Sequence, residues 1–274
     1  MDPETCISPD PLPSSKVTVR EELSNVVENN VPPTVLLLED ITIWEASTST
    51  PLYKLSRSVT SRLRTAPKNS SVTFERAEHS PPGNAEHPHS ETHYKHLFYL
   101  AHPAGAQYRS DTPAYYITSV EANTTLGNLH FDTYKPLFQK QELTARLSAK
   151  RTSADKPLFD DADQASVLFT ARPARWLRGS SSYTWFNDAG QQVAVENGPG
   201  KNGQYKLDIS VPLSHEIRDA LVSLWALRLW YETAESKEAK REGQSGDEFD
   251  EFGDCLFDAL EFVLLLLRLP CAGS

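Results

Sequence analysis

One stretch of this chain restricts the fold more than any other. In Ser214–Glu232 the residues Ile217, Leu221, Leu224, Trp225, Leu227, Leu229 and Trp230 spread around most of the circumference of a helix advancing about 100° per residue. Ser214 stands where an N-cap belongs, and Glu216 suits the positive helix end. Arg228 and Glu232 can pair at i,i+4, while Arg218 and Asp219 sit near the start. A helix apolar on nearly every side is buried on every side. Trp225 is therefore expected to be fully enclosed by strands.

The wall for such a helix is legible upstream. Between Thr34 and Pro212 short strands are bounded by turn residues, with no helix pattern between them. The candidates are VLLLEDITIW from Val35, PLYKL from Pro51, SVTFERA from Ser71, HLFYLAH from His96 and AYYITSVE from Ala114. They continue with LGNLHF from Leu126, ELTARLSA from Glu142 and SVLFTARP from Ser166. Alternation is clear in Ile41-Thr-Ile43 and in Leu143-Thr-Ala-Arg-Leu147, as in a half-buried antiparallel sheet. SYTWFNDAGQQVAVEN reads as a hairpin turning at Asn187-Asp188-Ala189-Gly190. The fold class this implies is mainly β, an antiparallel barrel around a buried hydrophobic helix.

The remaining segments differ in composition. Residues 1–33 hold six prolines and no sustained period, and read as a disordered arm. The barrel domain is assigned to 34–232, with its central helix at 214–232. Glu78–His93, EHSPPGNAEHPHSETH, reads as an irregular insertion. Residues 233–251 form an acidic linker, and 252–270 an amphipathic C-terminal helix. In that helix Asp254, Asp258, Glu261 and Arg268 share one stripe, while Phe252, Leu256, Leu260, Val263, Leu264 and Leu267 form a broad apolar face. Such a face is expected to dock, by default on the outer wall of the chain's own barrel, or otherwise on a second copy or another protein.

The segment LDISVPLSHEIRDALVSLWALRLWYE, Leu207–Glu232, is a strand ending near a proline followed by the apolar helix. It resembles the end of the tubby C-terminal-like barrel, whose superfamily also holds the LURP-one-related proteins and the phospholipid scramblases. ITIWEASTSTPLYKL resembles an opening strand pair of that fold, and YTWFNDAGQQVAVEN a late hairpin. The resemblance covers about residues 34–232 and implies roughly a dozen antiparallel strands around a central helix. It also implies a link to phospholipid, since tubby proteins bind phosphoinositides and scramblases associate with membranes. The helix after Glu232 and the Glu78–His93 insertion are additions to the pattern.

A net charge of −10 excludes general attraction to nucleic acid or anionic membrane, so either partner requires a local basic patch. One exists. Lys54, Arg57, Arg62, Arg64, Lys68 and Arg76 face a single acid, Glu75, in the same stretch. Arg57, Arg62, Arg64, Lys68 and Arg76 are the candidate anion- or lipid-binding residues. Between Glu232 and Glu261, by contrast, eleven acids outnumber three bases.

Motifs for catalysis are lacking. RGSSSYTW has Ser180, Ser181 and Ser182 after Gly179 but no nucleophile elbow, and neither a phosphate loop nor a dinucleotide fingerprint occurs. His87, His89, His93 and His96 are close in sequence, but Pro88 breaks any helix that would aim them at a metal. Asp160, Asp161 and Asp163 lack the glycine and terminal glutamate of a calcium loop. No cofactor or metal is expected. Cys6, Cys255 and Cys271 draw no disulfide framework, which suits a reducing compartment, cytoplasm or nucleus. Cys271-Ala-Gly-Ser274 has the form of a prenylation box, so Cys271 is a candidate lipidation site and peripheral membrane association stays open. The acidic start of the chain is unlike a signal peptide. The longest charge-free run in the apolar C-terminal stretch, Phe262–Leu267, is far short of the roughly 20 residues that span a bilayer. The functional expectation is a non-enzymatic intracellular binding or adaptor module for anionic phospholipid or a protein. The alternative is an enzyme or small-molecule carrier with a pocket at the barrel end.

Overall fold

The computed structural model describes residues 30–60, 70–79, 92–102, 113–134, 141–161, 164–174, 182–200 and 203–234. The strands of the first half are β1 (Asn30–Val31), β2 (Thr34–Glu39), β3 (Thr42–Glu45), β4 (Thr50–Leu55), β5 (Ser70–His79), β6 (Thr92–His102) and β7 (Tyr116–Ser119). They are followed by β8 (Gly127–Tyr134), β9 (Glu142–Ala149), β10 (Ser166–Pro173), β11 (Tyr183–Asn187), β12 (Gln192–Asn197), β13 (Tyr205–Ile209) and β14 (Leu213–Ser214). A single helix, α1 (His215–Ala234), comes last among the described residues.

Strands β2 to β13 pair each with the next, all antiparallel, and β13 returns to pair with β2, closing a twelve-stranded up-and-down barrel. Closure removes the free edges that an open sheet would present. The run from Val35 to Trp44 is two strands rather than one: Asp40 at φ 51° turns β2 into β3, with Leu38 opposite Ile43. The β11–β12 hairpin turns where the sequence places it. Gly190 takes φ 76°, and the backbone N–H of Asn187 bonds to the Gln191 carbonyl at 3.0 Å. Gly127 opens β8 at φ 136°, where a Cβ would overlap the Ser148 carbonyl oxygen, so no larger residue fits there.

Three boundaries differ from the sequence reading, one being that Thr233 and Ala234, assigned to the acidic linker, are the last residues of α1. Asn30 and Val31, assigned to the disordered arm, form β1, which pairs with β14 just before the helix. Glu78 and His93, assigned to the irregular insertion, are cross-strand partners at the far end of the β5–β6 ladder. Backbone hydrogen bonds extend a hairpin whatever its side chains, so composition alone misplaces the strand ends.

Inside, Leu36, Leu38, Ile43, Leu55, Phe74, Phe98, Leu100, Phe169, Trp185 and Leu207 are buried against α1. Every residue of α1 from Arg218 to Trp230 is buried, and Trp225 has no exposed surface. Ser214 caps the helix, its Oγ accepting from the Ile217 N–H at 3.4 Å. Outside, residues 150–161 fold back over β7 to β9. Asn128 Nδ2 donates to the carbonyls of Thr152 (3.0 Å) and Leu158 (2.6 Å), and Phe159 packs on Tyr116 and His130.

Replacing a buried tryptophan with alanine costs about 3–5 kcal/mol. Trp225→Ala is expected to lower the unfolding free energy by that amount, read as a lower denaturant midpoint, with an unchanged midpoint counting against a helix enclosed by the barrel.

Candidate functional site

The charged side chains of α1 divide into two groups, one toward each end of the helix. In the first turns, Asp219 Oδ2 accepts from Arg76 Nη1 of β5 at 2.6 Å, and Oδ1 from the Tyr53 hydroxyl of β4 at 2.9 Å. Arg76 also reaches Glu78 at 3.1 Å. Burial pushes the Asp219 carboxyl up, opposed by Arg76 and the Tyr53 hydrogen bond. Tyr53 is itself pushed well above the ordinary phenol value by burial and by the neighbouring carboxylate. Arg218 is buried beside them, and its Nε and Nη2 have no hydrogen-bond partner among the described residues.

In the last turns, Arg228 Nη2 donates to Glu196 Oε1 of β12, and Nη1 donates to Glu232 Oε2 at 2.8 Å. The guanidinium lies over the Tyr183 ring, 4.6 Å from its centroid. One guanidinium thus serves two carboxylates, and Glu196 has no exposed surface. Burial raises Glu196 to about 8 despite the pull of Arg228. Gln141 ties the same end together, accepting from Tyr183 at 3.1 Å through its carbonyl and from Tyr231 at 2.9 Å through its side chain.

The two candidate basic residues that are described, Arg57 and Arg76, do not lie together. Arg76 is committed to Asp219 near the start of α1. Arg57, just past β4, stacks on the Trp230 ring with its guanidinium carbon 4.7 Å from the centroid. Asp219 and Trp230 are about 16 Å apart along a helix axis rising about 1.5 Å per residue, so the two arginines belong to opposite halves of the barrel. Lys54 lies over the Tyr94 ring at 5.2 Å. Arg62, Arg64, Lys68 and Cys271 lie outside the described residues, as do His87, His89, Asp163, Ser180, Ser181 and residues 252–270. His96 bonds through Nε2 to the Phe98 carbonyl at 2.9 Å, and Asp160 accepts from Arg151 Nε at 2.6 Å. No group of three metal-ligating side chains occurs among the described residues. No helix among them is long and apolar enough to cross a membrane.

The strand directions do assign chemistry to the two rims. The rim where α1 ends is also where β4 ends and β5 begins, so the segment joining them, with Arg57, Arg62, Arg64 and Lys68 and no acid, starts and finishes there. The segments joining β6 to β7, β8 to β9, β10 to β11 and β12 to β13 have their ends at the same rim. They add Arg109, Lys135, Lys140, Arg175, Arg178 and Lys201 against one acid, Asp111. At the opposite rim the joining segments carry Lys150, Arg151 and Lys156 against Glu86, Glu91, Glu121, Asp155, Asp160, Asp161, Asp163 and Asp188. The joining segments at the rim where α1 ends are therefore basic in sequence, while Asp40 turns β2 into β3 at the same rim and α1 leads there into residues 235–251, with seven acids and three bases. The run of bases in the sequence signalled the first of the basic segments, but the others needed the topology.

No family model, curated protein or solved structure matches the chain.

The Glu196 carboxyl titrates near 4.5 in the unfolded chain and near 8 in the fold. Between those values the fold holds a proton that the unfolded chain has released, so this group makes stability fall as pH rises through that window. Urea midpoints measured across it are expected to show this fall, and Glu196→Gln to flatten it. An equal slope in both proteins would place the titration elsewhere.

Proposed function

We propose that this chain is a non-enzymatic binding module of the tubby-like type, and that its ligand is an anionic phospholipid headgroup met at the rim where α1 ends. The observation that carries the reading is the occupied lumen. Barrels that carry small molecules keep an interior free for them; here α1 fills it from Arg218 to Trp230. Recognition is left to the segments between strands, where binding surfaces on rigid scaffolds commonly lie. The closed antiparallel barrel around a single helix is the architectural support for the tubby-like assignment.

Charge supports the choice of ligand. A chain of net −10 approaches an anionic surface only through a local field of opposite sign, and the rim bases provide one. Basic side chains near an anionic bilayer contribute about 1 kcal/mol each, an attraction that salt screens. Arg62, Arg64 and Lys68 are the residues for contact, with Arg57 holding the start of their segment on Trp230. Arg76 belongs to the interior ion pair and has no part in this surface.

Flotation with phosphatidylcholine vesicles containing a phosphoinositide, at low and high salt, tests the proposal. Binding at low salt that weakens at high salt is expected, together with its loss in the triple charge reversal Arg62→Glu, Arg64→Glu, Lys68→Glu. Absence of wild-type binding at low salt, or binding indifferent to the reversal, would overturn it.

A further inference from the structure

The outer wall of β2 and β3 carries an apolar stripe that the barrel core does not use. Leu36, Leu38 and Ile43 point inward and are buried, so alternation turns Val35, Leu37 and Trp44 outward. Leu37 and Trp44 are Cα partners across the β2–β3 pair, and Trp44 meets Pro51 of β4 on its other side. All four are half-buried on a wall whose other outward positions are largely polar. Charged residues flank the stripe: Lys206 of β13, the Cα partner of Leu37, pairs at 3.5 Å with Asp208, the partner of Val35, and Lys54 of β4 is the partner of Thr42.

We infer that this stripe is the docking surface for Phe252–Leu269 of the same chain, a segment outside the described residues. Its apolar positions, from Phe252 through Leu267, recur at helical spacing and form one broad face. As a helix it would be about 27 Å long, enough to cover the stripe. The tether suits this wall. α1 ends at the rim where β2 turns into β3, and Trp44 lies three residues below that turn, about 10 Å down the wall. Residues 235–251, charged and punctuated by glycine, span about 23 Å on average as a flexible linker. A tethered segment meets its own wall at an effective concentration that a second copy does not reach in dilute solution.

Hydrogen exchange on the full chain tests this, with Leu37→Lys/Trp44→Lys as the wall variant. Both residues point away from the core, and α1 amide protection reports whether the variant is folded. In the wild type, amides of 256–267 are expected to exchange at least tenfold slower than in an unstructured peptide of the same sequence, independently of protein concentration. That protection should be lost in the wall variant while α1 stays protected. Should the wall variant not fold, Leu256→Lys/Leu260→Lys alters the segment alone and should lose the same protection. Unprotected amides in the wild type overturn the inference, as does protection that survives the wall variant. Protection that grows with concentration overturns it in favour of a second copy.

Discussion

The structure rests on the enclosure of α1. A barrel of about eight strands can fill its interior with side chains, but a wider one needs something larger. An α-helix with its side chains is about 10–12 Å across, a suitable plug for twelve strands. The dependence is mutual, because a helix with Leu, Val or Trp on every side is insoluble without the wall, and the wall has a void without the helix. The last element of the domain is thus a condition for all the others. The strands are joined in sequence order, so their pairing is local, but barrel closure between β13 and β2 brings together the two ends of the domain.

Apolar packing alone would leave the helix free to slide or rotate within an apolar lumen. The polar contacts remove that freedom. Asp219 meets Tyr53 and Arg76 near the helix start, and Arg228 meets Glu196 near its end, so both height and rotation are specified. Asp219 also sits near the helix N-terminus, the dipole end that favours an acid. Buried ion pairs give little net stability once desolvation is counted; their attested use is to fix register. Glu196, raised by burial and sharing Arg228 with Glu232, is the costly member of this arrangement.

Much of this was legible in the residues, for physical reasons. ELTARLSA coincides with β9 because a half-buried strand imposes alternation, and SVLFTARP coincides with β10 although a bulge between Val167 and Phe169 breaks the alternation expected there and leaves Val167 exposed. The central helix was readable from its all-round apolar surface, and the Arg228–Glu232 pair from its spacing. Glu196 was not, because an acid in QVAVEN looks solvated until barrel closure turns its face inward onto α1. Arg76 was misleading for the same reason: in sequence it belongs to a basic run, while in space its partner is Asp219, distant along the chain. Sequence spacing reports neighbours on one element, whereas partners across a closed barrel depend on topology.

The plug and the rim bases are physically connected through Arg57. The last turn of α1 contains no basic residue of its own, although a cation near a helix C-terminus is favourable. Arg57, arriving from the end of β4, supplies a cation there by stacking on Trp230, and burial lowers its pKa. Trp230 in turn packs edge-on against Tyr115 and His102, which belong to the β6–β7 side of the same rim. The packing that seats the helix therefore anchors the first base of the segment carrying Arg62, Arg64 and Lys68. Any change that withdraws the end of α1 from the barrel removes that anchor, so the state of the core and the presentation of positive charge at the rim are not independent.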